Sequence, residues 1–362
     1  MRIAIIGTRG IPNHYGGFEE CATHLAQRWV SMGHEVSVYN SANHPFQGSS
    51  WNGVQIFVMP DPEPHLGTFG QFIYDFNTIY HTRSQPYDII LQLGYTSSAI
   101  WQWLFRAKPR LVTNMDGIEW RRSKYPPLVR RFLRWSERKA ARRAHQLIAD
   151  HPAIQDHLDK RFGKGAVYIP YGAVERADYQ NNVLEQFHVQ AGNYHLLIAR
   201  TEPENHLHLI LEGITLSEVE LPTLVLGFKA NAYGRMLEKR FRSSRILFHP
   251  GVFDDQITSA LRYYSRRYFH GHSVGGTNPS LLQAMVDQCL IYAHDNEFNR
   301  YVLGQNARFF TTAGDIAQQL RNPLSPLDVA LWKKNNLERI RREYNWDSIA
   351  EQYELVFEQL LI

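Results

Sequence analysis

Two adjacent glycines ahead of a helix start form a natural phosphate cradle. This chain has such a stretch in His270-Gly271-His272-Ser273-Val274-Gly275-Gly276-Thr277-Asn278-Pro279-Ser280-Leu281-Leu282-Gln283-Ala284-Met285. Gly275 and Gly276 let the backbone approach a ligand closely, and the N–H groups of residues 275–278 suit phosphate oxygens. Thr277 or Asn278 reads as the helix cap, with Pro279 in the first turn. An ordinary strand–loop–helix connection has the same composition, so the stretch needs companions.

Arg200 is one companion. It follows an apolar strand, and its guanidinium fork matches paired phosphate oxygens, with an interdomain salt bridge as the structural alternative. Asp116 and Glu119 lie in Asn114-Met115-Asp116-Gly117-Ile118-Glu119-Trp120, again just after a strand. Carboxylates there can bind sugar hydroxyls or act as a base, while Asp116-Gly117 is also a turn signal. Gly16-Gly17 closes a long loop after the first strand, and long loops at such strand ends usually serve a site.

These residues need a scaffold that gathers strand ends. Arg2 to Ile6 reads as a buried parallel strand, Glu19 to Met32 as a helix ended by Gly33, and Val36 to Tyr39 as the next strand. The glycines at 7, 10, 16 and 17 do not fit the dinucleotide pattern G-x-G-x-x-G. Further strands are expected at Val54 to Met59, Ile89 to Leu93, Leu111 to Asn114, Gln146 to Ala149 and Val167 to Ala173. The polar segment Glu175 to Gln186 reads as a linker. Strands at Tyr194 to Ala199, Leu224 to Gly227, Ile246 to Phe248 and Leu290 to Ala293 then build a second α/β domain, and Asp347 to Leu361 closes the chain as a helix that can pack on either domain.

The 362 residues exceed one typical domain, and 44% hydrophobic content supports real cores. A net charge of +4 implies no global attraction to nucleic acid, which is not expected as a partner. Cys21 and Cys289 have no metal-ligand spacing and read as buried thiols in a reducing compartment. The apolar run at the N-terminus is short for a signal peptide and no membrane span is expected, so the protein reads as cytoplasmic, able to visit the inner face of the plasma membrane. Arg121 to Arg143 carries ten Arg or Lys residues against the single acid Glu137. With Leu128, Phe132, Leu133, Trp135 and Ala140 it reads as a basic amphipathic helix, beginning near Pro126-Pro127, for an anionic membrane surface; a solvated helix face is the plainer alternative.

Taken in order, Gly16-Gly17-Phe18-Glu19, Ile169-Pro170-Tyr171-Gly172, Ala199-Arg200 with Glu202-Pro203-Glu204, the 270–285 stretch and Trp346-Asp347-Ser348-Ile349-Ala350-Glu351-Gln352-Tyr353 resemble the retaining group-1 (family 4) glycosyltransferases of the GT-B fold. Residues 1 to about 108, 114–120 and 271–282 are similar to the bacterial rhamnosyltransferase-like subset. The resemblance implies two Rossmann-like domains facing each other across a cleft. These are an acceptor-side domain at 1–185, a nucleotide-sugar-binding domain at 186–335, and a final helical segment at 336–362 that can pack back on the first.

It also implies a metal-independent transferase without a cofactor, moving a deoxyhexose, L-rhamnose from dTDP-L-rhamnose, to a lipid-linked saccharide in capsule, O-antigen or other surface polysaccharide synthesis. The implied catalytic set is Asp116, Glu119 and Arg200. The implied donor set is Gly16, Gly17, Arg200, Asn205, His272, Gly275, Gly276, Thr277, Asn278, Ser280, Leu281 and Gln283. Three positions depart from the family pattern. Gly275 and Gln283 stand where the family has two glutamates, the second of which holds the nucleotide ribose, and Asn205 stands at its diphosphate lysine. These departures keep open a non-catalytic, sugar-nucleotide-binding member. An enzyme of the same fold but another reaction, such as an epimerase or a phosphorylase with pyridoxal phosphate on Lys229, is a further alternative.

Overall fold

The computed structural model describes residues 1–14, 16–122, 124–252 and 254–362. Tyr15 of the first glycine loop and Ser123 of the basic stretch lie outside the described residues, as does Phe253. The chain divides into two compact units, one of residues 1–121, 125–171 and 346–362, the other of residues 122–124 and 172–345.

The first unit is built on an eight-stranded sheet: β1 (Arg2–Ile6), β2 (Glu35–Ser41), β3 (Ser50–Trp51), β4 (Val54–Met59), β5 (Ile89–Leu93), β6 (Arg110–Asn114), β7 (Gln146–Ala149) and β8 (Val167–Tyr168). Their order is β3-β4-β2-β1-β5-β6-β7-β8, parallel except for β3 against β4. Ile3, Ala4 and Ile5 are wholly buried, as expected of a central strand covered on both faces. β1 pairs with β2 on one side and β5 on the other, so the chain reverses its direction of travel there. Its helices are α1 (Gly17–Ser31), α2 (Glu63–Leu66), α3 (Thr68–Thr82), α4 (Pro127–Arg143) and α5 (Pro152–Phe162), with a 3₁₀ segment at Ser98–Leu104.

The second unit holds β9 (His195–Ile198), β10 (Thr223–Leu226), β11 (Ile246–His249), β12 (Arg267–His270), β13 (Ile291–His294) and β14 (Arg308–Phe310), all parallel in the order β11-β10-β9-β12-β13-β14. That is the 3-2-1-4-5-6 order of a Rossmann sheet, and its reversal falls between β9 and β12. The crossovers are α6 (Leu207–Ser217), α7 (Ala232–Phe241), α8 (Asp255–Tyr263), α9 (Pro279–Val286) and α10 (Glu297–Leu303), followed by α11 (Ala313–Arg321) and α12 (Pro326–Glu343). Leu197, Val225, Phe269 and Tyr292 from four strands join Ile210, Leu211 and Ile316 in one core.

The division falls between Tyr171 and Gly172, earlier than the expected 185/186 boundary. The segment read as a linker is packed into the second unit. Val183, Leu184 and Phe187 are buried, the Tyr179 ring stacks on Tyr263 at 4.1 Å, and Tyr264 donates its hydroxyl hydrogen to the Tyr179 carbonyl at 2.8 Å. A polar average concealed those few anchoring side chains. At the other end, residues 336–343 complete α12 in the second unit, and only from Trp346 does the chain return to the first.

The terminal helix (Trp346–Leu361) lies against α1. Trp29 packs edge-on to Tyr353 and tilted against Phe357, and its indole N–H reaches the Ala350 carbonyl at 3.1 Å. Asn114 at the end of β6 donates to the Tyr353 hydroxyl at 2.9 Å.

Candidate functional site

In the second unit the strand reversal brings together the exits of β9 and β12. Arg200 lies two residues past β9, is exposed, and forms no ion pair among the described residues. Its loop is braced rather than free. Asn205 donates from Nδ2 to the Arg200 carbonyl at 2.8 Å, and Thr201 exchanges hydrogen bonds with the Lys229 backbone at 3.0 and 3.1 Å. Asn205 is 5% exposed, so its side chain shapes the loop instead of replacing a phosphate-binding cation. Lys229 is exposed and unpaired among the described residues. The Thr201 tether attaches its loop to that of Arg200, a link that a sequence search near Arg200 misses because it joins two crossovers.

The β12 exit is equally fixed. A Cβ on Gly271 would lie 2.0 Å from the Asn205 carbonyl oxygen, so only glycine lets the two loops meet. Ser273 donates from N and Oγ to the Glu204 carbonyl at 3.2 and 3.0 Å, while the His272 carbonyl accepts from Asn296 and Asn299. Gly275 has φ +123° and faces open space. The N–H groups of Gly275 and Gly276 find no protein acceptor among the described residues. Asn278 caps α9 by accepting from Ser280 N at 2.9 Å, and no acid occupies the first turn, which leaves the positive end of the helix uncompensated.

Not every expected donor residue faces a ligand. Leu281 is 1% exposed and its N–H is bound to the Asn278 carbonyl, so it serves the core. Ser280 shares its hydroxyl with Tyr268 at 2.8 Å, and Thr277 is buried. Gln283, one turn into α9, has a buried Oε1 with no partner.

His270 and His272 stack with ring centroids 4.4 Å apart, and His206 stacks on His294 at 4.1 Å. Burial, reinforced by Arg200, Arg122 and His206, holds the His272 imidazolium down to about 3. Burial also pushes His270 far below the usual histidine range, ahead of the charge effects of His272, Arg262 and His294. Both rings are therefore neutral at pH 7 and present buried, unpartnered nitrogens: both of His270 and Nδ1 of His272. Arg122, grouped with this unit, pairs with Glu204 at 3.1 Å.

Gly16, Gly17, Asp116 and Glu119 belong to the first unit. Gly16 is the extended cap residue of α1. Glu19 and Glu20 fill the first turn of α1, and Glu19, 4% exposed, accepts from Arg9 N at 2.7 Å. This helix N-terminus is already matched by carboxylates, unlike that of α9. Asp116 adopts φ +50°, a left-handed conformation tolerated by Asp and common at working sites, with its N–H on Asn114 Oδ1 at 2.9 Å. Glu119 starts a 3₁₀ turn. Sequence reading missed Asp150, which is wholly buried just past β7. Asp116 and Asp150 both act on Tyr171, whose hydroxyl is kept protonated first by burial and then by these two carboxylates. A polar Asp-His pair between an apolar strand and Pro152 was the available signal.

A further acid sits in α3. Burial raises Asp75 to about 7, partly opposed by a hydrogen bond from Ser97. An unfolded Asp titrates near 3.9, so the folded state holds this proton more tightly. The stabilisation is complete in acid and is lost as pH rises through about 7. Asp75→Asn is therefore expected to raise unfolding free energy by about 1–3 kcal/mol at pH 8 and by clearly less at pH 5, read by urea denaturation at both pH values. An equal effect at the two pH values would show that the carboxyl is not the cause.

Among the described residues no group of three or more His, Cys, Asp or Glu is placed to hold a metal ion. No helix is long and apolar enough to cross a membrane.

Residues 1–174 match a family described as a domain of unknown function (DUF1972). No curated protein sequence matches the chain. Among solved structures, the chain superposes on sucrose-phosphate synthase from Thermosynechococcus elongatus with a TM-score of 0.78 at 15% identity, covering 99% of this chain and 98% of that one. It is similar to HepE from Anabaena in complex with UDP, with a TM-score of 0.76, 15% identity, and 99% and 100% coverage. It is also similar to trehalose 6-phosphate synthase from Burkholderia multivorans, with a TM-score of 0.71, 11% identity, and 99% and 98% coverage. Two parallel-sheet units, the second a full Rossmann order, together with likeness along the whole chain, establish that this protein has the GT-B glycosyltransferase fold.

Proposed function

We propose that the protein is a glycosyltransferase that takes its donor sugar from a nucleotide diphosphate held by the second unit. The observation that carries this is the pairing, at one strand reversal, of the unpaired cation Arg200 with a glycine loop offering free N–H groups ahead of an acid-free helix N-terminus. Such a site binds a diphosphate and stabilises the charge that grows on it as the glycosidic bond breaks. The neutral His272 imidazole supplies a hydrogen-bonding partner beside Arg200. Crystallised HepE carries UDP, and in another crystal UDP-glucose, which supports a nucleotide-sugar donor.

On the finer level we propose a retaining, metal-independent transfer of a deoxyhexose, L-rhamnose from dTDP-L-rhamnose, to a lipid-linked saccharide of bacterial surface polysaccharide. Asp116 and Glu119 would bind acceptor or donor-sugar hydroxyls, and the basic α4 would hold the protein at the inner membrane face. Incubation with dTDP-rhamnose and membrane acceptor extract should release dTDP only when acceptor is present. Donor consumption with UDP-sugars alone would replace the rhamnose assignment.

The orphaned Gln283 Oε1 supports placing the ribose beside α9. A carboxylate accepts a hydroxyl hydrogen bond about 1 kcal/mol more strongly than an amide. Gln283→Glu is thus expected to tighten donor binding about fivefold in calorimetric titration. Unchanged affinity would remove the ribose from this position. Gly275 and Gln283, in place of the family's glutamates, favour one second reading, a donor-binding member without turnover. Binding of dTDP-rhamnose with no product under any acceptor condition would select it.

A further inference from the structure

The first unit exposes a set of large apolar side chains apart from the residues proposed for the donor and its sugar. Phe69, Trp103 and Leu128 are 65, 71 and 82% exposed, and Leu66 and Trp135 are also solvent-facing. They come from α2, α3, the 3₁₀ segment and α4, four elements packed on one another. A chain of rings links Phe69 to Trp135, from Phe69 to Phe72 (6.1 Å), Phe72 to Phe132 (5.9 Å) and Phe132 to Trp135 (5.7 Å), while Leu66, Trp103 and Leu128 are exposed on the elements packed around it. The Trp101 indole N–H fixes the 3₁₀ segment to the Phe72 carbonyl at 2.7 Å. Exposed apolar side chains gathered on neighbouring elements mark an interaction face.

Cations border this face. Arg131, Arg134, Arg138, Lys139 and Arg142 are exposed along α4, and the Lys139 ammonium lies 5.6 Å from the centre of the Trp135 ring. The helix's single acid does not neutralise them. Glu137 is buried and occupied by Trp120 Nε1, His157 and Arg161 at 3.2, 2.9 and 3.1 Å. Arg138 and Arg142 have no carboxylate partner among the described residues. Together with Arg161, Lys164, Ala141 and Phe162 they line a cavity of about 280 Å³. Lys164 is anchored there by the Arg142 and Ala144 carbonyls at 3.0 and 2.7 Å.

We propose that this face docks the first unit on an anionic phospholipid bilayer. Phe69, Trp103, Leu128 and Trp135 enter the interfacial layer, the α4 cations lie at headgroup level, and the Arg138–Arg142–Arg161–Lys164 cavity takes one lipid phosphate. A second copy of the chain would set cations against cations, whereas an anionic headgroup layer complements both the charge and the apolar side chains. The inference deepens the membrane part of the proposed function, but it does not require catalysis.

The test is flotation of the full-length protein, without donor, with vesicles of phosphatidylcholine alone and of phosphatidylcholine mixed with phosphatidylglycerol. Wild type is expected to float with the mixed vesicles only, less so at high salt, and inorganic phosphate at modest concentration should not release it. Arg138→Gln with Arg142→Gln should weaken partitioning roughly 25-fold, at about fivefold per cation. Trp103→Ser with Leu128→Ser should weaken it roughly tenfold or more. All four residues are exposed, so melting temperatures should stay at the wild-type value. Equal flotation with neutral vesicles, full binding by both variants, or loss only of self-association in sedimentation would each overturn the proposal. Donor titration of the wild-type protein, beside its flotation, separates the two ideas. Intact donor binding without flotation sinks the docking face alone, and flotation without donor binding sinks the transferase reading alone.

Discussion

Arg200→Ala is expected to lower kcat/KM with the nucleotide-sugar donor by about 10²–10³-fold, the range found when one preorganised charge-stabilising group is removed. The guanidinium has no carboxylate to satisfy in the described structure, so its removal strands no buried partner and should leave the fold intact. The loss therefore reports on the ligand. If Arg200 meets the diphosphate mainly as charge develops on the leaving phosphate, the fall appears in kcat; if it holds ground-state donor equally, KM rises instead. Arg200→Lys keeps the charge but loses the fork and should recover only part of the rate. Steady-state kinetics of the three proteins, with melting curves as control, decide this. An alanine variant with wild-type kinetics would remove Arg200 from the site.

Trp29→Ala is expected to cost about 3–5 kcal/mol of stability. Trp29 is fully buried between α1 and the terminal helix, contacting Tyr353 and Phe357 and donating to the Ala350 carbonyl. The substitution leaves a large cavity and removes the indole hydrogen bond to Ala350 in the same place, so the two losses act together. Chemical denaturation should show the drop in the transition of the first unit. Trp29→Phe, which keeps most of the ring volume, should lose clearly less. Equal losses for the two variants would mean that packing at this seam is not the cause.

Much of the fold was legible because its strands are short, apolar runs punctuated by polar clusters. Arg2–Ile6, Val54–Met59, Ile89–Leu93 and Gln146–Ala149 occur where the pattern put them. Arg308–Phe310 escaped notice, because three residues with an arginine at the front carry too little periodicity. The segment 175–186 was misread because composition averages over the few side chains that anchor it.

At the site, the cap at Asn278 and the place of Arg200 beside the glycine loop follow from local sequence once the strand order is known. The link from Thr201 to Lys229, the closeness of Asp150 to Tyr171 and the meeting of Phe72 with Phe132 do not. Each joins residues far apart in sequence, and neither spacing nor propensity encodes such a meeting. Leu281 shows the reverse failure: it lies within the loop motif, yet its helical phase turns it into the core.

The most direct test of the central claim is calorimetric titration of wild type and Arg200→Ala with dTDP, dTDP-rhamnose and UDP-glucose, followed by mass spectrometry of acceptor extract incubated with the preferred donor. Saturable donor binding by wild type, weakened in the variant, with the acceptor gaining one deoxyhexose and free nucleoside diphosphate appearing in equal amount, is the predicted result. Absence of binding to every nucleotide and nucleotide sugar would contradict it.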